Sequence, residues 1–227
     1  MPALGKFAYL LVAFLVLFLI FPFARSGIAG IGLLDILSTT IFAAAIYAVS
    51  RRRKILAAAL VLAVPALVTN WSTYFVKSTN LAATGHAFYA AFFTLTAIVI
   101  LAAVLRAGHI TLDVLLGALC AYFVLGMVFA YVFACLELSH PGSFTTASGQ
   151  SIDAGGPGVS DESSLIYFSF CTLTTLGYGD IVAVTKPARS LATLEALVGQ
   201  FYLAVLVARM VGLHIVYSTL KKPDETN

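Results

Sequence analysis

The sequence predicts an all-α membrane protein of six transmembrane helices, with a re-entrant helix and a glycine-bearing loop between helices 5 and 6. Three observations carry that prediction. Of the 227 residues, 61% are hydrophobic and only 10% charged, against about a quarter charged in a soluble domain. The apolar residues fall into runs close to the roughly 20 residues that a bilayer-crossing helix needs. The longest polar interruption is followed by an apolar stretch too short to cross, and then by "TLGYGD", residues 175–180.

The first element is "FAYLLVAFLVLFLIFPFA", residues 7–24. It exceeds the usual h-region of a cleaved signal, so it is expected to be a retained helix. Helix two is expected over 31–50, helix three over 55–75, helix four over 84–105, helix five over 110–136 and helix six over 188–217. Between helices two and three lies "RRRK", residues 51–54. A basic cluster in so short a loop stays on the cytoplasmic side. That orientation puts Lys6, Arg51, Arg52, Arg53, Lys54, Arg106, Lys221 and Lys222 inside, and only Arg25, Lys77, Lys186 and Arg189 outside. Both termini are then expected to be cytoplasmic.

"SHPGSFTTASGQSIDAGGPGVSDE", residues 139–162, is rich in Gly, Ser, Thr and Pro and reads as an exposed loop. The next segment, 163–175, suits a half-length helix, with Ser160 as its N-cap and Asp161 and Glu162 in the favourable first turn. Such a helix can enter the membrane but must stop at the glycines. Non-helical backbone at membrane depth is tolerated only inside protein or along a water-filled path. Glycine takes positive φ readily, so glycines at alternate positions let successive carbonyls turn the same way. Rings of such carbonyls from several copies can replace a cation's water shell. The negative end of the half-helix dipole also favours a cation there.

Other classes fit poorly. No basic helix or aromatic-interleaved basic surface suggests a nucleic-acid partner. No HExxH, GxSxG or paired intramembrane acids suggest an enzyme. Cys120, Cys135 and Cys171 stand singly in apolar segments without ligand spacing. No cofactor is expected.

Residues 175–180, "TLGYGD", resemble the potassium-channel filter motif TVGYG followed by aspartate. The resemblance covers about residues 110–217 and is to bacterial-type six-span subunits, here without an arginine-rich fourth helix. It implies a four-helix transmembrane domain at 1–109 in the voltage-sensor position, a pore domain at 110–220 and a short cytoplasmic tail at 221–227. It implies that Thr175, Leu176, Gly177, Tyr178 and Gly179 line a selectivity filter, with K+ bound by the carbonyls of the first four and by the Thr175 hydroxyl. Tyr178 would point away from the pore against surrounding aromatics. Asp180 would stand at the outer mouth, where Glu137, Asp153, Asp161 and Glu162 would add negative charge.

The sequence departs from that pattern in places. Leu176 replaces the usual valine, Tyr167 and Phe168 stand where many members carry a tryptophan pair, and Cys171 stands where some carry an acid paired with the filter aspartate. These three positions and Glu195 are the candidate filter supports, with Glu195 expected to bond to Thr172 or Ser169. Gly199, twenty residues after Gly179, matches a hinge glycine, and Leu203 and Val207, one turn apart, are the candidate cavity residues. Arg209 is expected to snorkel toward the inner interface.

Helix four carries no arginine except Arg106 at its inner end. Each gating charge is worth about 2.3 kcal/mol per 100 mV, and without them steep voltage gating is not expected. Asp35 and His86 are expected to satisfy local hydrogen bonds. The whole implies a homotetrameric plasma-membrane channel passing K+ passively among membrane lipids. A nonselective cation channel and a non-conducting subunit of a heteromeric complex are the alternatives.

Overall fold

Long apolar runs with few helix breakers leave the backbone one way to satisfy its polar groups without water, which is the helix. The computed structural model describes residues 6–20, 39–48, 53–72, 78–152, 154 and 159–220. Their elements, in chain order, are α1 (Lys6–Ile20), α2 (Thr39–Ala48), α3 (Arg53–Ser72), α4 (Thr79–Arg106), α5 (Leu112–Ser139), β1 (Phe144–Thr146), α6 (Val159–Leu173), β2 (Ile181–Ala183) and α7 (Lys186–Leu220). Among the described residues, α3, α4, α5 and α7 are long and apolar enough to cross a membrane. The expected second span reaches beyond α2 on both sides, and those flanks, Asp35 and residues 221–227 lie outside the described residues.

α4 and α5 form the central antiparallel pair, joined by the short segment 107–111, whose Thr111 side chain accepts the Val114 N–H as N-cap of α5. Tyr89 and Phe93 of α4 stack on Tyr131 of α5, with centroids 4.7 and 5.8 Å apart. α3 lies on α4 where Gly85 meets Thr69; a Cβ on Gly85 would lie 2.9 Å from the Thr69 hydroxyl. α2 stacks Phe42 on Phe92 at 4.4 Å.

α1 crosses the other side of α5. Phe14 stacks on Phe123 at 5.6 Å, and Phe18 meets Phe170 of α6 edge-on at 4.6 Å. One continuous core therefore runs from Leu10 of α1 through α2, α3 and α4 to Tyr131 of α5. The front helices and α5 share their apolar interior.

α6 is 15 residues long, with its start four residues earlier than the sequence suggests and its end two residues earlier. Val159 is already helical, so Ser160 falls in the first turn instead of at the cap. After α6 the chain runs without helix from Thr174 to Asp180 and enters β2, which pairs antiparallel with β1 in the register Phe144 with Ala183 and Thr146 with Ile181.

α5 and α6 approach closely at Gly126, where a Cβ would sit 2.6 Å from the Phe170 ring. Gly126→Ala is expected to destabilise the protein by about 1–3 kcal/mol, the usual range for overpacking. A lower unfolding temperature in detergent checks this, with Gly108→Ala, whose Cβ meets nothing within 4 Å, as the neutral control.

Candidate functional site

A helix ends with carbonyls that lack an intrahelical partner. At the end of α6 these carbonyls set the course of the chain. Thr175 N–H donates to Thr172 O at 3.0 Å, and the N–H groups of Leu176 and Gly177 both donate to Cys171 O, at 2.8 and 3.3 Å. The backbone thus curls back over the helix end. Beyond it, positive φ recurs at every second residue: Thr175 at 58°, Gly177 at 58° and Gly179 at 76°. Alternation of left-handed with ordinary residues turns successive carbonyls to one side of the strand. For Gly177 and Gly179 this conformation carries no side-chain penalty. Thr175 is β-branched, so its left-handed φ is a strained exception of the kind that clusters at functional sites.

Each neighbour of this segment has an identifiable grip. The Tyr122 hydroxyl of α5 donates to Leu173 O at 3.0 Å. Gly199 of α7 lies against the same carbonyl, where any Cβ would collide with it. Gln200 reaches the Thr175 hydroxyl at 3.4 Å. Behind them, the buried Ser169 hydroxyl sits 2.7 Å from Gly126 O of α5 and 2.5 Å from the Glu195 carboxyl of α7. Three elements thereby meet at one side chain, and Glu195 is fully buried. Of the two sequence candidates for its partner, the geometry supplies Ser169.

At the far end of the segment, Asp180 is held on both sides of its Cα. Its carboxylate accepts the Tyr167 hydroxyl at 2.8 Å and the Ile181 N–H at 3.1 Å. Its carbonyl accepts the Ala147 N–H at 2.7 Å. Phe168 turns instead into an aromatic cluster with Phe133 and Phe144, at 5.3 and 5.2 Å. Cys171 is a buried free cysteine whose carbonyl receives the two N–H groups described above.

Leu176 and Tyr178 are 53% and 69% exposed in the single chain. Tyr178 therefore lacks aromatic cover from its own subunit over most of its surface. Leu203 and Val207 also lie on the open face of α7, together with Phe201, Val211 and Ile215. α7 is the least covered of the membrane-length helices. It runs helical through Gly199 without interruption.

One residue stands elsewhere than the sequence suggests. Glu137 does not face solvent beside Asp180. It is buried, and backbone N–H groups occupy both of its oxygens. Arg209 donates to Leu105 O at 2.8 Å and Ala107 O at 2.6 Å, tying α7 to the end of α4. Unsatisfied carbonyls at a helix C-terminus are natural acceptors for a guanidinium. The side chains of Asp161 and Glu162, and Asp153 entirely, lie outside the described residues.

Comparison with known proteins bears on the same stretch. Residues 117–214 match the family described as ion channel. The protein described as "Two pore potassium channel c" of Oryza sativa subsp. japonica is 32% identical over 111 residues, which make up 46% of this chain. The match spans 21% of that relative's own length. No solved structure matches the chain significantly. The helix–loop–helix at residues 117–214, with the TLGYGD segment within it, is thus the part of the chain that is similar to ion channels, and to a potassium channel among them.

Proposed function

We propose that this chain is the subunit of a homotetrameric channel that passes K+ passively and selectively across the plasma membrane. The observation that carries the reading is the alternating positive φ at Thr175, Gly177 and Gly179, directly after a half-length helix. In this reading α6 is a re-entrant pore helix, and the carbonyls of Thr175, Leu176, Gly177 and Tyr178, with the Thr175 hydroxyl, form the ion sites. One chain supplies one strand of carbonyls, so four chains around an axis are needed to close rings about a dehydrated cation. The exposed Leu176, Tyr178 and open face of α7 suit burial against neighbouring copies and along a central path.

K+ is the substrate, and no covalent step is involved. Transport follows the electrochemical gradient, with carbonyl dipoles replacing water and Asp180 adding negative charge at the mouth. The subunit spans the bilayer six times, with both termini cytoplasmic. α4 holds one arginine, at its inner end, so opening is not steeply voltage-dependent.

Two outcomes test the reading. Reconstituted in bilayers with K+ on one side and Na+ on the other, the protein is expected to reverse near the K+ equilibrium potential. Gly177→Ser, which forces a side chain into left-handed backbone at roughly 1–2 kcal/mol per subunit, should abolish that selectivity. Current reversing near zero in the unsubstituted protein would instead mark a nonselective cation channel. Silence that ends only on co-expression with a partner would mark a non-conducting subunit.

The Tyr167 hydroxyl is the polar tether between pore helix and filter exit. Tyr167→Phe is therefore expected to hasten the decay of K+ current under sustained opening while leaving assembly intact. Unaltered decay in the same records would remove this tether from the mechanism.

A further inference from the structure

Glu137 is the buried group that the filter machinery described above does not use. It lies in the last turn of α5 and is 3% exposed. A carboxylate there is doubly disfavoured, by desolvation and by the negative end of the helix dipole. What offsets this is specific. Gly142 N–H donates to Oε1 at 2.6 Å and Phe144 N–H donates to Oε2 at 2.9 Å. Gly142 presents its N–H from a left-handed conformation, φ 83°. Charge-assisted bonds of this kind are short and about twice as strong as neutral ones.

The turn so held is the root of the β1–β2 pair. Phe144 begins β1, and β2 follows immediately after Asp180. Ser143, one residue before β1, accepts the Val184 N–H on its carbonyl at 2.8 Å and the Thr185 hydroxyl on its own hydroxyl at 3.1 Å. One residue past the strand, Ala147 donates to Asp180 O. The Phe144 ring packs on Phe168 of the pore helix, the neighbour of Tyr167. The hydrogen bonds that join the loop to β2 and Asp180 therefore start within three residues of the two N–H groups on Glu137.

We propose that Glu137 is a positioning residue for ion selection: its carboxylate fixes the hairpin that clamps β2, and through β2 it fixes Asp180 and the outer carbonyls of the filter. The proposal rests on the reading of residues 175–179 as a K+ filter. Glutamine at this position keeps the size but presents an NH2 to one of the two N–H donors, so one bond is lost and two donors face each other.

The test uses the full chain in lipid vesicles. In Glu137→Gln, amide hydrogen exchange across residues 144–147 and 181–184 is expected to rise about tenfold or more, the equilibrium shift for one lost hydrogen bond to a charged acceptor. The K+ over Na+ reversal potential should move toward zero in the same protein. Adding Thr146→Cys with Ile181→Cys, which face each other in the register, should restore the reversal potential on oxidation and lose it again on reduction. A purely structural role would raise the exchange and leave the reversal potential at the unsubstituted value, and that result overturns the proposal.

If Glu137→Gln fails to assemble, Ala147→Pro removes the single donor to Asp180 O with Glu137 intact. An unchanged reversal potential there overturns the proposal equally. Lack of K+ selectivity in the unsubstituted protein would sink the filter reading itself, whereas selectivity retained in Glu137→Gln would sink this inference alone.

Discussion

The structure depends on one constraint: a stretch of backbone without helical hydrogen bonds, residues 174–180, lies among apolar helices and must still keep its polar groups accounted for. The N–H groups of Thr175, Leu176 and Gly177 are settled locally, by three donations onto the last carbonyls of α6. That local solution leaves the carbonyls of these three residues free to face elsewhere, which is the property a cation path requires. It also transfers the problem. Whatever fixes Cys171, Thr172 and Leu173 fixes the strand, because the strand hangs from their carbonyls. Tyr122 from α5, Gly199 from α7 and the Ser169–Glu195 contact all converge within this turn and the one before it.

The outer end is held by a different device. A three-residue strand gains little stability by itself, yet β2 begins at the residue after Asp180 and cannot move without it. Anchoring β1 through a buried carboxylate converts a marginal pairing into a fixed point. The same loop reaches α4, where His86 Nε2 lies 3.3 Å from Ala154 O. At the opposite end of α4, Arg209 binds the terminal carbonyls. α4 is thus joined to the loop at one end and to α7 at the other, while its middle is packed on α5. In physical terms α1 to α4 buttress α5 from outside, sharing one core with it.

How much of this could be read from the residues follows from the range of each interaction. The long helices and the half-helix were legible because hydropathy and length are local properties. The TLGYGD segment was legible because glycine at alternate positions has a backbone meaning independent of fold. The contact of Glu195 with Ser169 could be anticipated as one of two from an acid inside an apolar helix and an alcohol at a plausible distance along α6. The grips from Tyr122, Arg209 and His86 link residues 51, 104 and 68 apart, and no periodicity marks such pairs. Glu137 misled for a related reason. An acid beside a polar loop looks solvated until the turn at Gly142 aims two N–H groups at it. The start of α6 was misplaced because Gly- and Ser-rich sequence before it hides where the first helical residue falls.

Gly199 joins these threads. The sequence offers two reasons for a glycine in the middle of α7, a bend or a close approach, and the geometry supplies the second, since the Leu173 carbonyl occupies the space of a Cβ. The two reasons then make opposing demands. A bend at Gly199 must draw α7 away from Leu173, and with it from the Gln200 contact to Thr175 and the Glu195 contact to Ser169, which lie within a turn on either side. Opening at that point would loosen the support of residues 174–180, so a bend there and the held course of that segment would not be independent. Below it, α7 carries the Tyr202 hydroxyl on Ala118 O of α5, the Arg209 tie to α4 and an open apolar face. Movement confined to the part of α7 beyond Tyr202 leaves those contacts untouched, and Arg209 is then a tie through which α4 bears on it.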